Sequence, residues 1–117
     1  MDTLYLIVPC YNEEDALPAS APVFLGKLRA LVENKMVAPD SRVMFVDDGS
    51  SDGTWDIIRR LHEGNECVDG LRLEKNRGHQ NAVTAGLATA IGYAGVTVTM
   101  DADLQDDIDA IDTMVTK

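Results

Sequence analysis

The sequence predicts an α/β fold: a mostly parallel sheet with helices on both faces, in three α/β/α layers. Two observations carry this reading. Short, near-continuous apolar runs alternate with longer amphipathic stretches, giving the order β-α-β-α-β-α-β-α. Each stretch between two apolar runs is also long enough for a crossover helix, which parallel neighbours require. The chain has 117 residues, enough for one domain spanning 1–117, and 45% of them are apolar, enough to bury a core.

Leu4–Val8 reads as a buried strand ended by Pro9, and residues 18–37 as helical in part, with Leu25, Leu28 and Val32 on one stripe. Val43–Val46 is a second buried strand, closed by Asp47-Asp48-Gly49. Trp55, Ile58 and Leu61 mark the next helix, and Leu71 and Leu73 alternate with polar residues in a third strand. Val83, Leu87, Ala90 and Ile91 fall on one face of a third helix. Val96–Met100 is a fourth strand, and Ile108, Ile111 and Val115 begin a fourth helix. That last stripe breaks off at Lys117, so the chain reads as part of something larger.

Charge and motif content exclude several classes. Twenty Asp and Glu against ten Lys and Arg leave a net charge of −10, which opposes nonspecific binding to nucleic acid or anionic lipid. No apolar run reaches membrane-spanning length, and the N-terminus lacks the pattern of a secretory leader. Two cysteines, Cys10 and Cys67, make neither a disulfide framework nor a zinc site, so reduced thiols in a cytoplasmic chain are the simpler reading. Neither a Gly-rich dinucleotide fingerprint, a phosphate-binding P-loop nor a nucleophile elbow is present.

In a parallel sheet, the four segments that follow the four strands gather along one rim. They are Pro9 to Glu14, Asp47 to Thr54, Asn76 to Gln80, and Asp101 to Gln105. Asp101 and Asp103 are two residues apart, the period that points both side chains the same way, and such a pair suits Mg2+ or Mn2+ with phosphate oxygens completing the shell. The plainer alternative is a solvated turn into an acidic helix start. Asp47 and Asp48 sit directly at a buried strand end, where a carboxylate can accept from a base N–H or a ribose hydroxyl. One of Ser50, Ser51 and Asp52 is expected to cap the Trp55 helix. Arg77 suits a phosphate or, equally, an ion pair with a nearby acid. His79 reads first as a polar helix start and Cys10 as a small core residue at a strand end.

Taken in order, the runs LIVPCYNEE, VMFVDDGSSDGTWDII, NRGHQNAVTAGLATA and TVTMDADLQDD resemble the family 2 glycosyltransferases of the GT-A fold. The combination of the last two looks most like the branch that loads sugars onto polyprenyl phosphates. The resemblance covers essentially the whole chain. It implies that Pro9, Tyr11 and Glu13 line the donor pocket beside nucleobase and ribose, with Asp47 on the base and Asp48 nearby. It further implies that Asp101 and Asp103 hold the metal and the diphosphate of a UDP- or GDP-sugar, with Gln105 adjacent. The implied reaction is an inverting displacement with a polyprenyl-phosphate acceptor at the cytoplasmic face of a membrane. An acceptor that is already anionic needs no strong general base, in keeping with the lack of an obvious one. Where the family usually has proline after the DxDLQD run, this chain has Asp107-Ile108. The family's catalytic domain is longer, so this chain is expected to be its N-terminal, donor-binding part, inactive alone. An exposed sheet edge makes a homo-oligomer a further expectation. The alternatives are a metal-dependent phosphoryl-transfer or receiver-like domain, or a noncatalytic nucleotide-sugar-binding module. A receiver's acid pair follows strand one, whereas this one follows strand two.

Overall fold

A computed structural model of the chain describes residues 2–93 and 95–102. Four strands, β1 (Leu4–Cys10), β2 (Arg42–Asp47), β3 (Val68–Arg72) and β4 (Val96–Thr99), alternate with three helices, α1 (Leu17–Glu33), α2 (Thr54–Gly64) and α3 (His79–Ala90). The strands form one all-parallel sheet in the order β3-β2-β1-β4. The expected fourth helix, together with Asp103 and Gln105, lies outside the described residues.

The period of two along each strand divides the core into two layers. Leu4, Leu6, Val8 and Cys10 of β1, with Val43 and Phe45 of β2, pack under α1 and under Ile58 of α2. Tyr5, Ile7, Met44 and Val46 point the other way, against Ala82 and Ala90 of α3. The chain therefore winds β1-α1-β2-α2-β3 over one face, then crosses back through α3 on the other to place β4 beside β1. The order of the sheet reverses between β1 and β4, and that reversal opens a crevice at their carboxyl ends.

Three expectations need correction. Pro9 does not end β1: the strand stays in register with β2 through Pro9↔Val46 and Cys10↔Asp47. Pairing with β4 stops at Ile7↔Thr99, with Met100 N donating to Ile7 O at 3.0 Å. Alternation turns the Pro9 nitrogen toward the β4 side, so the missing N–H ends one ladder and leaves the other intact. Leu73 falls just beyond β3, although its N–H still donates to Asp47 O at 2.9 Å. Of the expected α3 stripe only Ala90 is buried: the helix packs through Ala82, Gly86 and Ala90, while Val83 is half-buried and Leu87 and Ile91 are exposed. The helix lies too close to the sheet for large side chains: a Cβ on Gly86 would come within 2.8 Å of Ile7 Cγ2 and 3.0 Å of Val46 Cγ2.

Candidate functional site

The segments after β1, β2 and β3 form a single hydrogen-bonded rim. Asn12, held at φ 52, a left-handed conformation that asparagine tolerates, accepts from Ser51 N at 2.9 Å through its amide oxygen. Its own N–H donates to Ser50 Oγ at 2.9 Å. Glu13 N donates to Thr54 Oγ1 at 2.9 Å and Glu14 N to Asp52 Oδ2 at 3.3 Å. Asp52 Oδ1 accepts from Thr54 N at 3.0 Å, satisfying one of the orphan donors at the start of α2. The capping expectation needs correction: the N-cap is Gly53, without a side-chain cap hydrogen bond, and Asp52, one residue before it, reaches forward to Thr54 instead.

Burial pushes the Asp52 carboxyl up, but the hydrogen bonds from the Thr54 hydroxyl and from the Thr54 and Glu14 amides outweigh it. The net shift is down from its ordinary 3.8. A depressed folded-state value means that the ionised form stabilises the fold fully above 3.8, and that this contribution disappears as pH falls through the lower folded value. Urea midpoints measured across acid pH should therefore show wild type exceeding Asp52→Asn well above 3.8, with the gap narrowing below it. A gap constant with pH would remove the carboxylate's charge from the account.

The two adjacent acids do different things, because neighbouring strand residues face opposite layers. Asp47 continues the Val43–Phe45 side and is fully buried, its Oδ1 accepting from Ser50 N at 3.1 Å. Its Oδ2 lies 3.8 Å from Arg72 Nε, and the Arg72 guanidinium stacks over Trp55 with its carbon 5.7 Å from the ring centroid. Asp48 turns to the α3 side. Its Oδ1 accepts from Arg77 N at 2.7 Å and its Oδ2 from Gly78 N at 3.0 Å, so one carboxylate fixes the entry to α3. Both Asp48 oxygens are thus taken by main-chain amides, whereas Asp47 Oδ2 is buried without a hydrogen-bond partner among the described residues.

The β1–β4 crevice holds a cavity of about 330 Å³ lined by Pro9, Cys10, Tyr11, Glu13, Asp48, Asn76, Gly78, Ala82, Asp101 and Ala102. Five of the residues singled out from sequence, Pro9, Tyr11, Glu13, Asp48 and Asp101, thus meet around one space. Asp47 lies outside this lining, as does Arg77, whose described contact is through its main chain. Sequence reasoning missed Asn76, Gly78 and Ala82, which form the α3 wall. The Asn-Arg-Gly run pointed to the right segment, but to its charged member instead of the small ones. Burial pushes the Cys10 thiol well up, reinforced by Glu13 and Asp47, so the thiol stays protonated and is no nucleophile.

The electrostatics of this lining are one-sided. Glu13, Asp48 and Asp101 contribute three carboxylates, with no lysine or arginine among the described lining residues. Among the described residues, no three His, Cys, Asp or Glu side chains gather closely enough to hold a metal ion.

An acidic crevice at the reversal point of a parallel sheet is where doubly wound proteins bind nucleotides. Within that class the chain belongs to glycosyl transferase family 2, whose model matches residues 5–117. It is 43% identical over 108 residues to the uncharacterized glycosyltransferase YkoT of Bacillus subtilis, covering 92% of this chain and 32% of that protein. It is 37% identical over 112 residues to the bactoprenol glucosyl transferase of Shigella phage SfV, covering 96% and 34%. A mannosyltransferase from Pyrobaculum calidifontis, solved in complex with GDP-Man and Mn2+, superimposes with a TM-score of 0.68 at 28% identity, covering 97% of this chain and 31% of that one. The fold is therefore GT-A, and the chain spans about a third of the length of the curated relatives it matches.

Proposed function

We propose that this chain is the donor-binding part of an inverting glycosyltransferase that moves a sugar from a nucleoside diphosphate to a polyprenyl phosphate. The observation that carries the reading is the convergence of Pro9, Tyr11, Glu13, Asp48 and Asp101 on one acidic cavity. Tyr11, 45% exposed, offers an aromatic face on the open side for a nucleobase. The carboxylate assigned to base or ribose is Asp48, since Asp47 is turned beneath the rim. Arg77, at the entry to α3, is kept as a phosphate contact. A diphosphate brought among three carboxylates requires a countercation. Asp101, at the end of β4, fits a hard divalent ion as one oxygen ligand, and Asp103 is proposed as the second, with Gln105 adjacent. Bound there, Mg2+ or Mn2+ would neutralise the diphosphate leaving group. The acceptor reading rests on the similarity to the bactoprenol glucosyl transferase, and such an acceptor puts the whole protein at the cytoplasmic face of a membrane.

Calorimetric titration with UDP, GDP and CDP, each with Mn2+ or EDTA, tests this. One nucleotide should bind in Mn2+, lose its affinity in EDTA, and bind Asp101→Asn roughly tenfold or more weakly. Binding that EDTA leaves untouched would overturn the metal assignment, and binding of no nucleotide would overturn the donor site. The chain alone is expected to transfer no sugar.

A further inference from the structure

The four residues after β1 alternate in what they touch. Tyr11 and Glu13 line the cavity, whereas Asn12 and Glu14 turn toward the segment between β2 and α2. Asn12, through its left-handed φ of 52, brings its amide oxygen 2.9 Å from Ser51 N and 3.4 Å from Ser51 Oγ. Thr54 is fully buried, and its hydroxyl gives its single proton to Asp52 Oδ1. The hydroxyl oxygen is therefore left to accept from Glu13 N, and it holds the main chain that carries the Glu13 carboxylate. The Ser51–Asn12 and Glu13–Thr54 bonds join segments 39 and 41 residues apart in sequence, so each ties the cavity wall to the start of α2. Neither Asn12 nor Thr54 lines the cavity.

We infer that Asn12 and Thr54 are positioning residues: they fix Tyr11 and Glu13 in the cavity wall and through them set the affinity for the donor. The second half of this statement rests on the donor reading of the cavity. An aromatic face and a carboxylate contribute to a site only when a supporting layer holds them within a fraction of an ångström. Thr54→Val keeps the shape of the buried side chain but leaves the half-buried Glu13 N–H without its acceptor, so the wall must shift to find another.

Amide NMR spectra and calorimetric titrations with UDP, GDP and CDP in Mn2+ test the inference. In Thr54→Val the Glu13 amide should lose protection from hydrogen exchange and the Tyr11 signals should move, whereas Thr54→Ser, which retains the hydroxyl, should preserve both. The nucleotide that wild type binds should bind Thr54→Val and Asn12→Gly roughly fivefold or more weakly. Glycine adopts the left-handed conformation freely, so Asn12→Gly isolates the lost amide. Thr54→Ser and Asn12→Asp, each keeping the acceptor, should restore the affinity. Ile58→Val, which trims the α2 core away from the cavity, should lower the urea midpoint and leave affinity alone. Wild-type affinity in both Thr54→Val and Asn12→Gly overturns the inference, as does a loss that Ile58→Val shares. If wild type binds no nucleotide, the donor reading fails, and the spectra alone decide: unmoved Tyr11 and Glu13 signals overturn the positioning role. If Thr54→Val fails to fold, Asn12→Gly decides.

Discussion

Replacing Gly49 with alanine should cost about 3 kcal/mol or more and abolish nucleotide binding. Gly49 adopts φ 68, and a Cβ there would lie 2.3 Å from both Asn76 N and the Lys75 carbonyl carbon. The left-handed conformation alone costs an alanine roughly 1–2 kcal/mol. The larger part is collision with main chain, which no rotamer change relieves. The segments after β2 and β3 would have to separate, and both Asp48 and Asn76 sit on the cavity wall. Urea unfolding should show a lost or greatly weakened cooperative transition. A midpoint equal to wild type would mean that the two segments part freely and that their contact does not shape the cavity.

Asp48→Ala is the second large effect, expected at about 2–4 kcal/mol, because it strips two main-chain donors, Arg77 N and Gly78 N, of a charged acceptor. Asp48→Asn separates charge from geometry. An amide can accept from one of these N–H groups but presents NH2 to the other, so it should recover only part of the stability. If Asp48 also meets the donor, nucleotide affinity in the asparagine variant should fall by more than its lost stability accounts for. Paired urea and calorimetric measurements read the two quantities. Wild-type stability in the alanine variant would dismiss the carboxylate as the anchor of α3.

Much of the architecture was legible because parallel sheets impose it. Apolar runs too short for helices, joined by helix-length amphipathic stretches, leave few topologies, and those send every strand's carboxyl end to one rim. The proline rule misled at Pro9 because it was applied to a whole strand, whereas a proline removes a donor from only one of its two ladders. Hydrophobicity misled at α3 because the distance between helix and sheet, set by Gly86, favours small residues over Leu87 and Ile91. Adjacent strand residues face opposite layers, so a pair such as Asp47 and Asp48 gives no sign of which one meets the cavity until the register is known. That Asp48 would be held by amides 29 and 30 residues further on has no local signature at all.

The two flanks of the sheet are unequal. Among the described residues, the layer built by α1 and α2 on the sheet is a cluster of eighteen buried residues with both phenylalanines in edge-to-face contact, whereas the α3 layer is a cluster of six and meets the sheet through alanines and a glycine. Local opening follows the thinner layer, since fewer apolar contacts resist it. The wall contributed by Gly78 and Ala82 is therefore the side of the crevice free to adjust its width to an incoming molecule, while the opposite flank serves as an anvil.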